Sequence, residues 1–456
     1  MTFARSNNAQ FDAIAGFALD PGLAIPEDAL RHSATLLIDT LGVAAGATAL
    51  EVGQIARNHA VAYHAAGADA AAAHMLFDGR RVSLPGAAWA LGTQIDNLDG
   101  HDGFNPVKGH IGCAVVPALC AFAERHPDLT GHQALTAMTI AYEIAARAGL
   151  SLHATVSDYH TSGAWNALGV AALGCRLESA GADTLRQALG IAEYHGPRSQ
   201  MMREIDNPTM LHDGSGMGAM IGSMAALLAK DGFTGAPALT AETAEVAHFW
   251  ADLGHRWTVA ENYIKPYPSC RWGHAAIDAL RNLMRDEGVT ANNAVAIDIH
   301  TFDEAARLYS GVPATTSQAQ YSINFVMAVM LRTGTVSPRS IAETGLQDPD
   351  IAALIPRITA HVSDRHNATF PASRISDVTV TLSDGRVVAS GDVTARGGPG
   401  AWMDDSEIEE KFHLFCADAL DETRTRAIWA MRDRLLDPGV KFSDLLALVH
   451  PAGACA

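Results

Sequence analysis

Runs rich in Ala and Gly, with apolar residues three or four positions apart, fill the first half of this chain. This spacing places apolar side chains on one face of a helix. The first run, PEDALRHSATLLIDTLGVAAGA, begins with Pro and two acidic residues, which the first turn of a helix favours. Further runs with the same period follow as far as residue 232. Small residues at the crossings allow close approach, so the sequence predicts a core built entirely of helices.

The pattern changes after about residue 265. AVAIDIHTF alternates like a strand, and VTVTLSDGRVVASGDVTAR predicts a hairpin that turns at SDGR. Between them, TSQAQYSINFVMAVMLRTG predicts a helix, and PDIAALIPRITAHVSD predicts a short helix followed by a strand. Helical periodicity returns near the C-terminus. We therefore predict a mainly α protein: a large all-helical domain (residues 1–265 plus 399–456) with an inserted smaller α+β lid domain (residues 266–398).

Composition narrows the classes of partner. The formal net charge of −18 argues against nucleic acid or an anionic membrane surface, but not against a small anionic substrate, because a local field can oppose the global one. The six cysteines are scattered, without the spacing of a zinc site or a disulfide framework. We see neither a secretion signal nor a membrane span in the sequence. A cytoplasmic location is therefore expected.

A polar loop interrupts two apolar helical runs between residues 94 and 117. It reads QIDNLDGHDGFNPVKGHIGCAVVP and contains a cluster of ionisable side chains: Asp96, Asp99, His101, Asp102, Lys108 and His110. Its glycines and Pro106 break any continuous helix. A loop that joins core helices is often functional. The alternative is a solvated connection whose acids face water.

Two further segments carry basic residues in special settings. In SDYHTSGAWNALG, His160 precedes a predicted helix that Thr161 and Ser162 could cap. The helix dipole disfavours a cation there, so His160 could be a neutral base, or simply a surface capping residue. In ENYIKPYPSCRWGH, two prolines rigidify the segment around Lys265 and Arg271, which could clamp a carboxylate. The alternative for this segment is an inter-domain linker.

A fourth segment, REIDNPTMLHDGSGMGAM, places His212 and Asp213 directly before a Gly-rich helix start. Helix N-termini attract anions through unpaired N–H groups. Alone, the glycines are equally typical of close helix packing.

Taken together, these segments resemble the MmgE/PrpD family, which includes 2-methylcitrate dehydratases, cis-aconitate decarboxylases and iminodisuccinate epimerase. The most specific pieces are IDTLGVAAGA, QIDNLDGHDG followed by GHIGCAVVPALCAFAE, YHTSGAWNALGVAA, LAKDGFTG and KPYPSCRWGHAAIDAL. The resemblance implies a large helical domain joined to a smaller α+β lid, a homodimer, and neither a metal nor an organic cofactor. It also implies an inter-domain cleft for a di- or tricarboxylate.

The resemblance further implies site residues. When the catalytic residues of the family are transferred by position, they fall on Asp96, His110, His160 and Lys265. We assign substrate binding to Arg271, His212, Tyr267 and His101, and no residue to a metal.

The sequence departs from the family pattern at three places. Thr209 or His212 stands where relatives usually carry a lysine, and Phe325 stands where they often carry a tyrosine. Gly100 occupies a position that is commonly threonine. Two groups that could protonate a leaving group or bind a carboxylate are thereby lost.

The resulting hypothesis is a cofactor-independent lyase that removes a proton next to a carboxylate of a small polycarboxylate, as a 2-methylcitrate dehydratase does. Two bases on opposite faces would instead make an epimerase of a dicarboxylate, and a cis-aconitate-type decarboxylase is a further alternative. A metal-dependent hydrolase would use Asp96, Asp99, His101 and Asp102 as ligands. A protein that only binds a ligand in its cleft is the remaining alternative.

Overall fold

Long helices make up most of the chain. The computed structural model describes residues 8–450. Its helices of eight or more residues are Asn8–Leu19, Glu27–Gly46, Glu51–Tyr63, Leu84–Asp96, Gly112–Ala123, Gly131–Thr155, Gly163–Leu177, Ala182–His195, Ser215–Lys230, His274–Asp286, Ile323–Thr333, Asp405–Cys416, Glu422–Arg434 and Phe442–Val449. Shorter helices are Met202–Asp206, Leu239–Glu242, Ala247–Trp250, Asp303–Ala306, Thr316–Gln320, Pro338–Ile341, Glu343–Leu346, Pro349–Leu354 and Asp364–Asn367. The predicted mainly α class is confirmed.

Small residues bring the central helices close together, as the composition indicated. A Cβ atom at Gly169 would lie 2.5 Å from the carbonyl oxygen of Ala141, and one at Gly222 would lie 2.4 Å from that of Ala167. Both separations are far below van der Waals contact, so only glycine fits. The helices Gly131–Thr155, Gly163–Leu177 and Ser215–Lys230 therefore pack backbone to backbone.

A mixed sheet follows the central helices. Its strands, in spatial order, are Ile358–Val362, Ala294–Thr301, Ile375–Leu382 and Val387–Ala389. The first pair is parallel and the others are antiparallel, and the short strand Val393–Thr394 also pairs with Ile375–Leu382. The predicted strand at AVAIDIHTF, the hairpin around SDGR and the helix leading into ITAHV are all confirmed. The boundaries of the two predicted domains stay predictions.

Two local expectations are wrong. The first half contains the antiparallel strands Ala72–His74 and Arg81–Ser83, so it is not helical throughout. The helix predicted over TSQAQYSINFVMAVMLRTG is interrupted, because Thr316–Gln320 ends before Tyr321 and Ile323–Thr333 starts anew. The hydroxyl of Ser322 accepts a hydrogen bond from the N–H of Phe325 at 3.2 Å and caps the second helix.

No single helix among residues 8–450 is long and apolar enough to cross a membrane. The helices Glu27–Gly46 and Glu51–Tyr63 together have the length and composition of a membrane span, but the chain bends by 93° between them.

Five cysteines in the described range are free thiols: Cys113, Cys120, Cys175, Cys270 and Cys416. Cys455 lies outside the described residues. The cytoplasmic location and the homodimer stay predictions.

Candidate active site

A polar cavity of about 320 Å³ lies where the loop after Leu84–Asp96 meets the segment around Lys265. Four of its lining side chains are cations (Lys108, Lys265, Arg271 and Arg374), and two are carboxylates (Asp99 and Asp213). His110, Cys270 and the phenols of Tyr159, Tyr263 and Tyr321 also line it. Basic, acidic and phenolic side chains therefore converge on this small cavity.

A larger cavity of about 1,320 Å³ opens beside Leu50, Met210 and Ala314. Glu51 is the only charged residue among those that line it. A site for acid–base chemistry needs several ionisable groups within reach of each other. The smaller cavity is therefore the candidate active site, despite its size.

Lys265 and Asp99 form a buried ion pair in the cavity wall. The ammonium donates to the carboxylate of Asp99 and, at 3.1 Å, to its backbone carbonyl. Burial raises the pKa of Asp99 to about 6, although the ammonium opposes that rise. Burial disfavours the ammonium of Lys265, but Asp99 outweighs burial and raises its pKa. The predicted lysine is therefore a fixed positive charge in the site.

His110 is held in one tautomer. Its Nδ1 lies 2.6 Å from the carbonyl oxygen of Asp102, a pure acceptor, so Nδ1 carries the proton and Nε2 has a free lone pair. Nε2 lies 3.5 Å from a carboxylate oxygen of Asp213. Burial and the nearby Lys265 lower the pKa of His110 to about 4. His110 is therefore a neutral imidazole at physiological pH, with Nε2 available to accept a proton.

Ser162 orients both His110 and Asp213, and this role was not predicted. Its hydroxyl donates to Asp213 at 2.6 Å and accepts from the backbone N–H of His110 at 2.9 Å. The expectation that Ser162 or Thr161 caps the helix Gly163–Leu177 is wrong, because the Ser162 side chain makes no capping bond and the Thr161 hydroxyl is directed to Pro197.

Asp96 and His101 lie behind the cavity and not in its wall. An oxygen of the Asp96 carboxyl group accepts the N–H of Ser215 at 3.0 Å, so a side chain of the protein itself occupies the N-terminus of Ser215–Lys230. Burial and the nearby Asp213 raise the pKa of Asp96 well above its ordinary value. The ring of His101 lies 4.5 Å from that of His110, and burial lowers its pKa well below the usual range.

Tyr321 supplies a phenol that the sequence comparison at Phe325 had missed. Phe325 is buried in the core, whereas Tyr321, one turn earlier, lines the cavity. The Tyr321 hydroxyl donates to the carboxyl group of Glu204. Burial and Asp213 raise the pKa of Glu204 well above its ordinary value. A serine that can cap a helix, Ser322, is the sequence signal that could have pointed to this arrangement.

His212 lies beside this pair. Its ring is 5.5 Å from that of Tyr321, and its Nδ1 is 4.0 Å from Glu204. Burial lowers its pKa to about 4. Thr209, the other residue considered for the missing family lysine, is exposed. His212 is thus the inward residue of the two, but it is not among the residues that line the cavity.

Guanidinium groups stack on one wall. Arg271 lies 4.4 Å from the centre of the Tyr263 ring, and Arg374 lies 5.8 Å from it. Both arginines are about 5% exposed, and the Nη2 of Arg271 donates to the carbonyl of Ala395 at 2.9 Å. Arg271 was predicted, whereas Arg374 was not, because it lies 103 positions further along the chain.

Two predicted site residues are directed elsewhere. The Nδ1 of His160 lies 2.8 Å from the carbonyl of Asp158, and this histidine is not among the residues that line the cavity. The Tyr267 hydroxyl donates to Asp278 at 2.7 Å, next to Arg396, and does not line the cavity either. The catalytic role of His160 and the substrate-binding role of Tyr267 stay predictions.

Two groups of buried side chains here have the spacing of metal ligands. Asp99, His101 and His110 form one group and Asp96, His101 and Cys113 the other, with ligand atoms within 4.8 Å of each other. In the first group, the carboxylate of Asp99 already forms an ion pair with the ammonium of Lys265. In the second, burial raises the pKa of the Cys113 thiol well above its usual value. The metal-dependent hydrolase stays an untested alternative.

Family models match the chain on both sides of this cavity. The MmgE/PrpD N-terminal domain matches residues 13–252, and the MmgE/PrpD C-terminal domain matches residues 267–437. The chain therefore belongs to the MmgE/PrpD family, as the sequence motifs indicated. It is 23% identical to human cis-aconitate decarboxylase over 407 residues, which is 84% of this chain and 82% of that relative. Family and relative together indicate an enzyme.

Proposed function

We propose that this protein is a cofactor-independent lyase that acts on a small polycarboxylate. One observation carries the proposal: a chain with a formal net charge of −18 surrounds a small cavity in which four cations face two carboxylates. The two carboxylates offset two of the four cations, so the lining keeps a formal excess of two positive charges, which a bound anion would offset. A di- or tricarboxylate has the charge that would complement this cavity.

His110 is the base of the proposed reaction. Its Nε2 lone pair accepts the proton from the carbon next to a substrate carboxylate. The electron pair of the broken C–H bond moves onto that carboxylate, and Lys265 and Arg271 stabilise the added negative charge. Asp213, 3.5 Å from Nε2, stabilises the imidazolium that forms.

Tyr321 and Glu204 supply the second proton. As the electron pair returns to form the carbon–carbon double bond, the bond to the β-hydroxyl breaks. In this step the Tyr321 hydroxyl turns from Glu204 to the leaving oxygen and protonates it, and a protonated Glu204 then returns a proton to the phenolate, so the products are water and an unsaturated acid. Tyr321 therefore takes the place of the phenol lost at Phe325, which supports dehydration as the first choice.

Decarboxylation is the second candidate, because the name of the human relative favours it. In that reaction the bond between carbon and a carboxylate breaks, carbon dioxide leaves, and the electron pair passes through the double bond to a second carboxylate. The Tyr321–Glu204 pair then protonates carbon. The same cations stabilise the charge in both reactions.

A nuclear magnetic resonance screen in heavy water, against a panel of di- and tricarboxylates, tests the proposal. Dehydration converts a hydroxy acid into an unsaturated acid, and decarboxylation releases carbon dioxide. Deuterium incorporation without either product indicates an epimerase. Binding without exchange or conversion, or activity that a chelator abolishes, contradicts the proposal. His110→Gln is the matched inactive variant, because it keeps a polar side chain of similar size.

A further inference from the structure

Three potential metal ligands meet on the helical part of the chain, at a place that the proposed reaction does not use. They are His74, at the end of the strand Ala72–His74; Glu124, directly after the helix Gly112–Ala123; and His450, directly after Phe442–Val449. One ligand atom from each lies within 4.8 Å of the others. None of the three is among the residues that line the active-site cavity.

The spacing suits a tetrahedral ion. The Nδ1 of His74 lies 2.7 Å from one oxygen of Glu124, and the Nε2 of His450 lies 3.6 Å from the other. Zinc ligands at about 2.1 Å in a tetrahedron are about 3.4 Å apart. The measured separations lie on either side of this value, so small movements of the side chains would bring these atoms around one ion.

The unpartnered nitrogen of His450 and the exposure of its neighbours also suit a metal. The Nδ1 of His450 is buried and has no hydrogen-bond partner among residues 8–450. The side chains of His74 and Glu124 are each 15% exposed, which leaves a path for an ion and a position for water.

The surrounding contacts hold the three residues in place. The backbone N–H of His74 donates to Glu124 at 2.9 Å. The guanidinium of Arg424 donates to the backbone carbonyl of His450 at 2.8 Å, and therefore anchors the chain next to that ligand. An ion bound here would join the C-terminal helix to the strand and helix of the body.

We propose that His74, Glu124 and His450 form a binding site for a divalent ion of the zinc type, with water as the fourth ligand. Two imidazoles and one carboxylate are a ligand set that Zn²⁺ and Co²⁺ accept. The site is separate from the proposed lyase chemistry, and the two proposals can fail independently.

Titration of the full-length, chelator-treated protein with Co²⁺ tests the site. We expect one tightly bound Co²⁺ for this cluster, with the intense visible absorption of a four-coordinate ion, which Zn²⁺ then removes. Zn²⁺ should also raise the melting temperature of the unmodified protein. Glu124→Gln, which keeps the size of the side chain, should weaken binding at least about tenfold, since loss of even an outer partner has that effect.

Two control variants locate the ion. His126→Gln removes a nearby histidine that contacts a glutamate, Glu178 at 3.5 Å, but is not part of such a triad. His110→Gln removes a ligand from the Asp99, His101 and His110 group of the cavity. Both controls should bind Co²⁺ as the unmodified protein does. Absence of the spectrum in the unmodified protein, or its loss in His110→Gln with retention in Glu124→Gln, overturns the proposal.

Discussion

Lys265→Met removes the central cation of the cavity, and the chain offers a matched control. Lys411 forms a second buried pair with Asp39, donating to both carboxylate oxygens at 2.7 Å and to the carbonyl of Gly100 at 2.9 Å. Both lysine side chains are 3% exposed or less. Lys411 is not among the residues that line the cavity. The two variants therefore cause the same kind of damage to stability but differ in their relation to the site.

The stability cost follows from the carboxylate that each variant leaves behind. Breaking a buried pair by removing one partner costs about 3–5 kcal/mol of unfolding free energy. An unpaired Asp99 can avoid being a buried, uncompensated charge by taking up a proton. At pH 7 this costs 1.36 × (7 − 3.8), about 4 kcal/mol, relative to an unfolded pKa of 3.8. The cost falls by about 1.4 kcal/mol for each pH unit below 7, so both variants should be less destabilised at pH 5.

The cost in activity should separate the two variants. Removing one group that stabilises the developing charge lowers kcat by about 10²–10³-fold. We expect that loss for Lys265→Met and less than about tenfold for Lys411→Met. The double variant Asp99→Asn, Lys265→Met removes the unpaired charge as well. It should recover most of the stability and none of the activity.

The assays are urea unfolding at pH 7 and pH 5, and turnover of the acid that the screen identifies, measured on folded protein. Turnover by Lys265→Met within about threefold of the unmodified enzyme would refute the charge-stabilising role. Equal loss of turnover in Lys411→Met would also refute it, because the loss would then follow stability alone.

Four further outcomes are expected. Tyr321→Phe should lower kcat by about 10²-fold or more, because it removes the proposed proton donor. Ser162→Ala should lower kcat about tenfold with little change in KM, because it only positions His110. His110→Ala should reduce turnover by about 10²-fold or more, and steady-state kinetics of His160→Ala will show whether that residue shares the role. His110 has a pKa of about 4 in the folded chain against 6.5 unfolded, so the unfolded chain binds more protons between those values. The free energy of unfolding should therefore fall as the pH drops from 6.5 to 4. At pH 5 the unmodified protein should have lost about 2 kcal/mol more of it than His110→Gln has, which urea unfolding at each pH would measure.

Sequence periodicity predicted the elements of this fold well where the pattern was long. The run beginning at Pro26 became the helix Glu27–Gly46, and the alternating segments became adjacent strands of one sheet. The pattern failed where elements are short. The strands Ala72–His74 and Arg81–Ser83 have three residues each, too few to show alternation above the surrounding Ala-rich sequence.

The site was predictable only in part, since its residues are far apart in sequence. Motifs pointed to His110 and Lys265, and both line the cavity. No sequence motif marks Arg374, which lies next to the other site residues only because the chain folds that way. Ser162 was interpreted as a helix cap because serine before a helix usually is one. At Gly100, where relatives often carry threonine, a Cβ would lie 2.6 Å from the ring of Phe415, so packing excludes the larger residue.

The environments of His110 and Glu204 bear on the base and the acid of the proposed reaction. Burial disfavours the charged form of both: it lowers the pKa of His110 to about 4 and raises the pKa of Glu204 above its ordinary value. One physical effect thus favours a neutral imidazole in the cavity wall and a neutral carboxyl group next to the Tyr321 hydroxyl. Fixed cations such as Lys265 retain their charge because a carboxylate partners them. A cavity prepared in this way favours reactions that move a proton at carbon and place the resulting negative charge on a carboxylate.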